Sequence, residues 1–406
     1  MRLARPEQCA TSEHDPQGRR RAAGVVARVA AAVGLSALLA LGACSSEPDV
    51  IKIGVGQPLT GPLAALGQDM VNGVRMAVDE INAVGGVRLG TRRVKMEVVT
   101  VDDKSDAKTG IAGAQSLVAA GVTVAVAHLN SGVSIAAAKT YAEAGVPQLA
   151  ISTNPAYTQQ GLPTTLRLVA NDTLQAKALG SYAGQLPGAE RFAVVDDGTP
   201  YGKGLADAAA KELAAAKKEV LLRQTTDDKT TDFGALVDAM GKGKVDVLVA
   251  ALNDFQIEAI VQLVGKAGMQ RLRIIGGDTV KTDRMAKVSH PAVTIYATSP
   301  IVDAREFQAG TTHFLSNFRK RFGSDPVYGA HYAYDTVYLV ADAMTRNKSA
   351  DRARLLQRLK DPQFDGNAPV TGFMRFGADG EQRYSAVAVY LLRDGVWQLQ
   401  LRSDRW

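Results

Sequence analysis

From Val50 onward, short apolar runs alternate with longer stretches in which apolar residues recur every three or four positions. Val50–Gly56, Val94–Val101, Val122–Ala127 and Val146–Ile151 read as strands, and such near-continuous Val/Ile/Ala runs fit a parallel sheet buried on both faces. Between them lie three helical patterns. Ala64–Val84 places Met70, Val74, Ala77, Val78 and Ile81 on one face and stops at Gly85-Gly86, and Lys108–Ala119 and Ser134–Ala144 follow. After Leu166-Arg167-Leu168 the pattern restarts. Helices at Thr173–Gln185, Leu205–Ala216, Asp232–Gly241 and Ile257–Ala267 alternate with strands at Arg191–Asp196, Glu219–Gln224, Val245–Ala251 and Leu272–Ile275. Strand–helix alternation at this spacing predicts βαβ units, hence α/β architecture with two doubly wound halves. Helices at Phe307–Phe322, His331–Thr345 and Arg352–Leu359 and β-patterned runs at Thr371–Phe376 and Ala386–Leu392 complete the chain. These late elements must pack back on both halves. The expected division is 50–169 with about 299–380 in one lobe, and 170–298 with about 381–406 in the other.

Two neighbouring strand ends carry the candidate chemistry. Val122–Ala127 runs into His128-Leu129-Asn130-Ser131-Gly132, and Val146–Ile151 runs into Ser152-Thr153-Asn154-Pro155. Each turn is expected to open a helix, whose N-terminus offers unpaired N–H donors and about half a positive charge. Two such ends at the carboxyl edge of a parallel sheet form a place for a small anion such as a carboxylate. Taken singly, Ser131, Ser152 and Thr153 also read as ordinary N-caps.

Composition narrows the function. The 406 residues are 46% hydrophobic and 22% charged, with a formal charge of +6. Residues 1–43 hold six arginines against three acids, so 41 basic and 38 acidic residues remain beyond them. Those basic residues are scattered, without aromatic interleaving, which argues against a nucleic-acid partner. Arg19-Arg20-Arg21, the apolar stretch Val29–Leu41 and Leu41-Gly42-Ala43-Cys44 have the form of an export signal that closes on a lipobox. Residues 1–43 are therefore expected to be a cleaved signal peptide, Cys44 the lipidated residue, and 44–49 a tether to a membrane facing the periplasm or the cell exterior. With Cys9 in the leader and Cys44 at the anchor, no disulfide is expected in the mature protein.

Enzymatic readings find little support. His128, His290, His313 and His331 lack metal-ligand spacing, and there is neither a G-x-S-x-G elbow nor a P-loop. Gly54-x-Gly56 lacks the third glycine of a dinucleotide fingerprint. His128 and Ser131 stand three residues apart across a turn, a spacing that suits a structural histidine better than a base–nucleophile pair. No cofactor or metal is called for.

The segments IKIGVGQPLTGPLAALGQDMVNGVRMAVDEINAVGGV, VDDKSDA, AHLNSG, TNP, DDGTPYGKG and GGD, in this order, resemble periplasmic type I solute-binding proteins of the leucine/isoleucine/valine-binding branch that serve ABC importers. The resemblance runs from Val50 to the C-terminal strands. It implies two Rossmann-like lobes joined by a multi-crossing hinge, a clamshell that captures an amino acid and delivers it to a permease as a monomer. A ligand sensor would use the same cleft, and a binder of an amide or another small carboxylate is a further alternative. By resemblance, Ser131 and Thr153 hold the ligand carboxylate, with Leu129 and Asn130 beside them. The backbone at Ile151-Ser152 meets the ammonium, Asp278 pairs with it, and Tyr201 closes over the ligand. The sequence departs from the family where relatives place tyrosines, at Leu66 and Asn253, and where they place a disulfide, at Ser105 and Asn130. A missing bridge costs about 2–4 kcal/mol, which a large core can replace. Asn253-Asp254 suggests a ligand with a polar side chain or amide, because a buried unpaired amide is costly.

Overall fold

The computed structural model describes residues 47–307 and 310–405. The leader and Cys44 lie outside the described residues, and the folded unit begins at Pro48. Its first sheet has the order β2-β3-β1-β4-β5-β6. β1 (Val50–Gln57) lies between β3 (Arg92–Asp102) and β4 (Val124–Ala127), parallel to both. β5 (Gln148–Ala150) and β6 (Thr165–Arg167) continue the parallel set, while β2 (Val87–Leu89) forms an antiparallel hairpin with the start of β3. Helices α1 (Ala64–Ala83), α2 (Ala107–Ala119) and α3 (Ser131–Glu143) connect these strands. Ile51, Ile53 and Val55 are fully buried, as the apolar run predicts.

α4 (Asp172–Gln185) leads to a second sheet of order β15-β14-β11-β10-β9-β7-β8. β7 (Arg191–Asp196), β8 (Glu219–Thr225), β9 (Val247–Ala251), β10 (Leu272–Gly276) and β11 (Val293–Ser299) run parallel. α5 (Pro200–Ala215), α6 (Gly234–Gly243) and α7 (Asp254–Val264) join the first four of them. Numbered within each half, both parallel sets have the order 2-1-3-4-5, so the architecture repeats. In this arrangement ligands bind beyond the carboxyl ends, where the strand order reverses.

After β11 the chain returns to the first sheet. α8 (Thr311–Phe322), α9 (Ala330–Asn347) and α10 (Arg352–Leu359) follow, and α9 packs along α1 in a core shared with β1 and β3. The hairpin β12 (Gly366–Ala368) and β13 (Gly372–Met374) precedes a last passage to the second sheet. There β14 (Ala388–Arg393) and β15 (Val396–Arg402) add antiparallel to β11. The backbone therefore crosses between the sheets three times. Arg167, fully buried at the end of β6, pairs at 3.0 Å with Glu381 from the last of these passages.

Differences from the sequence reading sit at helix starts and in short or weakly apolar strands. α3 starts at Ser131 rather than Ser134, and α5 at Pro200 rather than Leu205. Their first turns, Ser-Gly-Val and Pro-Tyr-Gly, carry little apolar periodicity, and capping marks those starts instead: Thr199 accepts from Gly202 N at 3.0 Å. β2, β6, β11, β12 and β15 carried no strand assignment. β2, β6 and β12 are three residues long, the last residues of β11 are Ala-Thr-Ser, and β15 is an edge strand with four of its seven residues exposed.

Candidate functional site

A cavity of about 350 Å³ lies where the carboxyl ends of the two parallel sets face each other. The turns after β4 and β5 line one wall with Leu129, Asn130, Ser131, Ile151 and Thr153. The turns after β7, β9 and β10 line the other with Asp197, Tyr201, Asn253 and Asp278. The N-termini of α3 and α5 both open on it, one from each sheet. They nearly touch, since a Cβ added at Gly132 would lie 3.2 Å from Pro200 Cδ. Asn154 Nδ2 also donates to the Pro200 carbonyl at 2.5 Å.

The hydroxyl wall is partly as expected and partly not. Ser131 is the first residue of α3, and its Oγ accepts from Asn154 N at 3.2 Å, which ties the two turns together. Asn130 is the N-cap, yet its side chain makes no capping bond and its buried Oδ1 has no partner. Thr153 lines the cavity, and its carbonyl accepts from Asp172 N at 2.8 Å. No α-helix opens there. The turn after β5 gives only a single 3₁₀ turn, Pro155–Tyr157, capped by Asn154 Oδ1 accepting from Ala156 N at 2.9 Å. The second helix N-terminus belongs to α5 on the opposite sheet. Ser152 lies behind the wall: its hydroxyl donates to His128 O at 3.1 Å, and its carbonyl accepts from the Arg167 guanidinium. That carbonyl is thus already engaged by a cation of the protein. Arg167 also donates to Asn154 O at 3.0 Å, so one buried guanidinium holds both sides of Thr153.

The opposite wall is acidic. Asp278, only 4% exposed, accepts from Tyr201 Oη at 2.6 Å, Tyr328 Oη at 2.7 Å and Gln175 Nε2 at 3.3 Å. Burial and the adjacent carboxylate push both phenols well above their ordinary range, so both are donors. Tyr201 reaches this position because residue 277 is glycine; a Cβ there would collide with its hydroxyl. Tyr201 sits in the first turn of α5 rather than in a loop. Tyr328 is placed by Asp69, whose carboxylate accepts from the backbone N–H groups of Val327, Tyr328 and Ala330 at 2.8–3.0 Å. Behind Thr153 and Asp278 lies Asp172, 1% exposed, with no hydrogen-bond partner of good geometry for either carboxyl oxygen. Burial, and then Asp278, push it up to about 8, while the Thr153 hydroxyl and Arg167 draw it partly down.

At the far end, Asn253 lines the cavity with its amide already satisfied. Its side chain caps Gln256 N, and Nδ2 donates to Asp197 Oδ2 at 3.3 Å. The premise that it needs a ligand partner falls away. Burial pushes Asp197 up to about 6. Leu66 does not line the cavity; it is 4% exposed inside the α1 core, and Leu63, three residues earlier, faces the cavity instead. Phe255, two residues beyond Asn253, supplies an aromatic wall together with Val133 and Pro62. Ser105 and Asn130, the positions at which the resemblance implied a missing disulfide, both line the cavity.

Residues 50–395 match the sequence profile of the periplasmic binding proteins. The chain belongs to this family. A Leu/Ile/Val-binding protein homolog of Brucella melitensis is 31% identical over 371 residues, covering 87% of this chain and 97% of that relative. Among solved structures, the branched-chain amino acid transporter substrate-binding protein LivJ of Streptococcus pneumoniae, in complex with isoleucine, superposes with a TM-score of 0.74. It is 28% identical and covers 87% of this chain and 98% of its own. A solute-binding protein of an ABC transporter from Rhodopseudomonas palustris, solved with 3,4-dihydroxybenzoic acid, has a TM-score of 0.75 at 20% identity. It covers 87% of this chain and 97% of its own, and shows the shared fold.

Within this family member, Asp172, Gln175 and Tyr328 escaped the sequence reading. Asp172 follows the N-cap Asn171, whose side chain accepts from Thr173 N at 3.1 Å, so in the sequence it is indistinguishable from a first-turn acid. Tyr328 arrives from the segment before α9 and carries no strand-end signal. Among the described residues no helix is long and apolar enough to cross a membrane.

Proposed function

We propose that the protein captures a single α-amino acid between its two lobes, outside the cytoplasm, and delivers it to an ABC importer. One observation carries this reading: a buried acid, Asp278, faces the hydroxyls and helix N-terminus at Ser131 and Thr153 across one cavity. A carboxylate fits the Ser131–Thr153 wall, whose free charge is the positive end of α3. An ammonium fits the Asp278 wall. A bare carboxylate such as a benzoate satisfies the first wall and leaves Asp278 without a cation, so a zwitterion is favoured. Pro62, Leu63, Val133 and Phe255 form the wall along the side chain, and the amide of Asn253 is internally paired. This supports an apolar side chain, branched or aromatic, over an amide. The boundaries proposed for the lobes are 50–169 with about 299–380 and 170–298 with about 381–406. Anchoring through Cys44 and release of residues 1–43 complete the proposal.

A thermal-unfolding panel on refolded, ligand-stripped protein tests it. An amino acid at a thousandfold excess over its Kd adds about 4 kcal/mol of stability, a rise of several degrees in Tm. Leucine, isoleucine, valine or phenylalanine should give the largest rise. A response only to 3,4-dihydroxybenzoate or to amides, with none to any α-amino acid, overturns the reading.

A further inference from the structure

Asp172 is the polar group in the molecule whose surroundings make least sense for a purely structural residue. Its carboxyl is 1% exposed, and among the described residues neither oxygen has a hydrogen-bond partner of good geometry and no cation forms an ion pair with it. A second buried carboxylate, Asp278, faces it from the turn after β10. The other groups around the pair come from four further elements. They are Tyr201 at the start of α5, Tyr328 before α9, the Thr153 hydroxyl after β5, and the Arg167 guanidinium on β6. The phenols and Gln175 of α4 spend their donors on Asp278, and Arg167 spends its own on Glu381, Asn154 and the Ser152 carbonyl. Among the described residues the Thr153 hydroxyl is the donor that remains for Asp172, and no cation pairs with it. Both Thr153 and Asp278 line the cavity, so the missing cation has a route in.

Resting on the amino-acid reading above, we propose that Asp172 is a second anionic partner of the ligand's ammonium group. It is uncharged before the ligand arrives and ionised once that cation lies against it and Asp278, so that capture of the amino acid expels one proton to solvent. Burial first, and then the like charge of Asp278, push Asp172 up to about 8, because a buried carboxylate beside another ionises poorly without a counter-ion. The incoming –NH₃⁺ is that counter-ion. The two walls then discriminate by charge as well as shape. A carboxylate lacking an amine triggers no ionisation, and an amine lacking a carboxylate leaves the α3 wall unpaired. Proton release makes affinity pH-dependent. Between about pH 6 and pH 8 the association constant should rise by up to about tenfold per unit, and it should level off above Asp172's own value.

The test is calorimetric titration of the full mature chain with L-leucine, or with the tightest-binding amino acid of the panel, at pH 6, 7 and 8. Each titration is run in phosphate and in Tris so that their different ionisation heats report the protons exchanged. Wild type should release close to one proton per ligand at pH 7 and show the rising affinity. Asp172→Asn is isosteric with the neutral acid and should fold. It should release no proton, bind with nearly flat pH dependence, and lose about tenfold or more in affinity at pH 8 but less at pH 6. Asp197→Asn and Asp69→Asn control for the other raised acids near the cleft, both at about 6, and should keep the slope up to pH 8. Amino-acid binding without proton release, or an Asp172→Asn protein with an unchanged slope, overturns the assignment of Asp172 and leaves amino-acid capture standing. Binding of no amino acid overturns both.

Discussion

On the Asp278 carboxylate, two phenols and one amide converge. These bonds hold the carboxyl group in place at the cavity wall, where a cation can meet it. Truncating one partner of a buried, hydrogen-bonded charge pair costs about 2–5 kcal/mol. Asp278→Ala should therefore weaken amino-acid binding by at least about 30-fold, read by titration at constant pH. Asp172 carries a stability signature of its own. Its ordinary value is 3.8 and its folded value about 8, so the folded protein retains a proton that the unfolded chain gives up. Stability from this group is complete below about pH 4 and is lost as pH rises through 8. Asp335, held at about 7 by burial, adds to the same slope. The unliganded Tm should fall between pH 5 and 8.5, and less steeply in Asp172→Asn; a variant with the wild-type slope would show that Asp172 titrates normally. Ser131 and Thr153 were legible because each stands beside a strand end with a turn signal, whereas Tyr201 and Asp278 were named through the family resemblance. Asp172 was not, since a first-turn acid becomes unusual only when tertiary packing removes its water.

Among the elements, the turn after β5 is shaped from outside itself. Its carbonyls at Ser152 and Asn154 are gathered by Arg167, which is anchored by Glu381 more than two hundred residues away. Removing one partner of a buried ion pair costs about 3–5 kcal/mol. Arg167→Met should lower stability by about that amount in denaturant unfolding and also weaken ligand binding, because Thr153 loses its frame. If stability falls while affinity holds, the guanidinium supports the fold without shaping the site. Most of the parallel strands and most helices followed from apolar period alone, since β1, β4 and β9 are buried on both faces. The first turns of α3 and α5 did not, because Ser131-Gly132 and Pro200-Tyr201 carry polarity and ring closure where periodicity needs apolar side chains. Those two turns line the cavity. The part of each helix that is hardest to read from hydrophobicity is thus the part that faces the ligand.

Across the whole molecule, three crossings join the two sheets, a connection compatible with hinge closure around a ligand. The described arrangement is closed, with Gly132 against Pro200 and Asn154 bonded to the Pro200 carbonyl. Gly132→Val places branched carbons where Pro200 must lie. In small-angle scattering, saturating ligand should shrink the wild type but not this variant, whose unliganded Tm should match wild type; equal compaction in both would remove the seam from the account. That the two halves share one strand order was foreshadowed by their repeated alternation. Which residues would touch across the cleft was not, because contacts such as Tyr328 to Asp278 depend on how the halves meet. The central claim is that one ligand must satisfy both walls at once. Its most direct test is calorimetric titration with L-leucine and with its two half-molecules, 4-methylpentanoate, which lacks the amine, and 3-methylbutylamine, which lacks the carboxylate. Tight binding of leucine, with each half-molecule weaker by at least about a hundredfold, is the predicted result. Either half-molecule binding as tightly as leucine would contradict it.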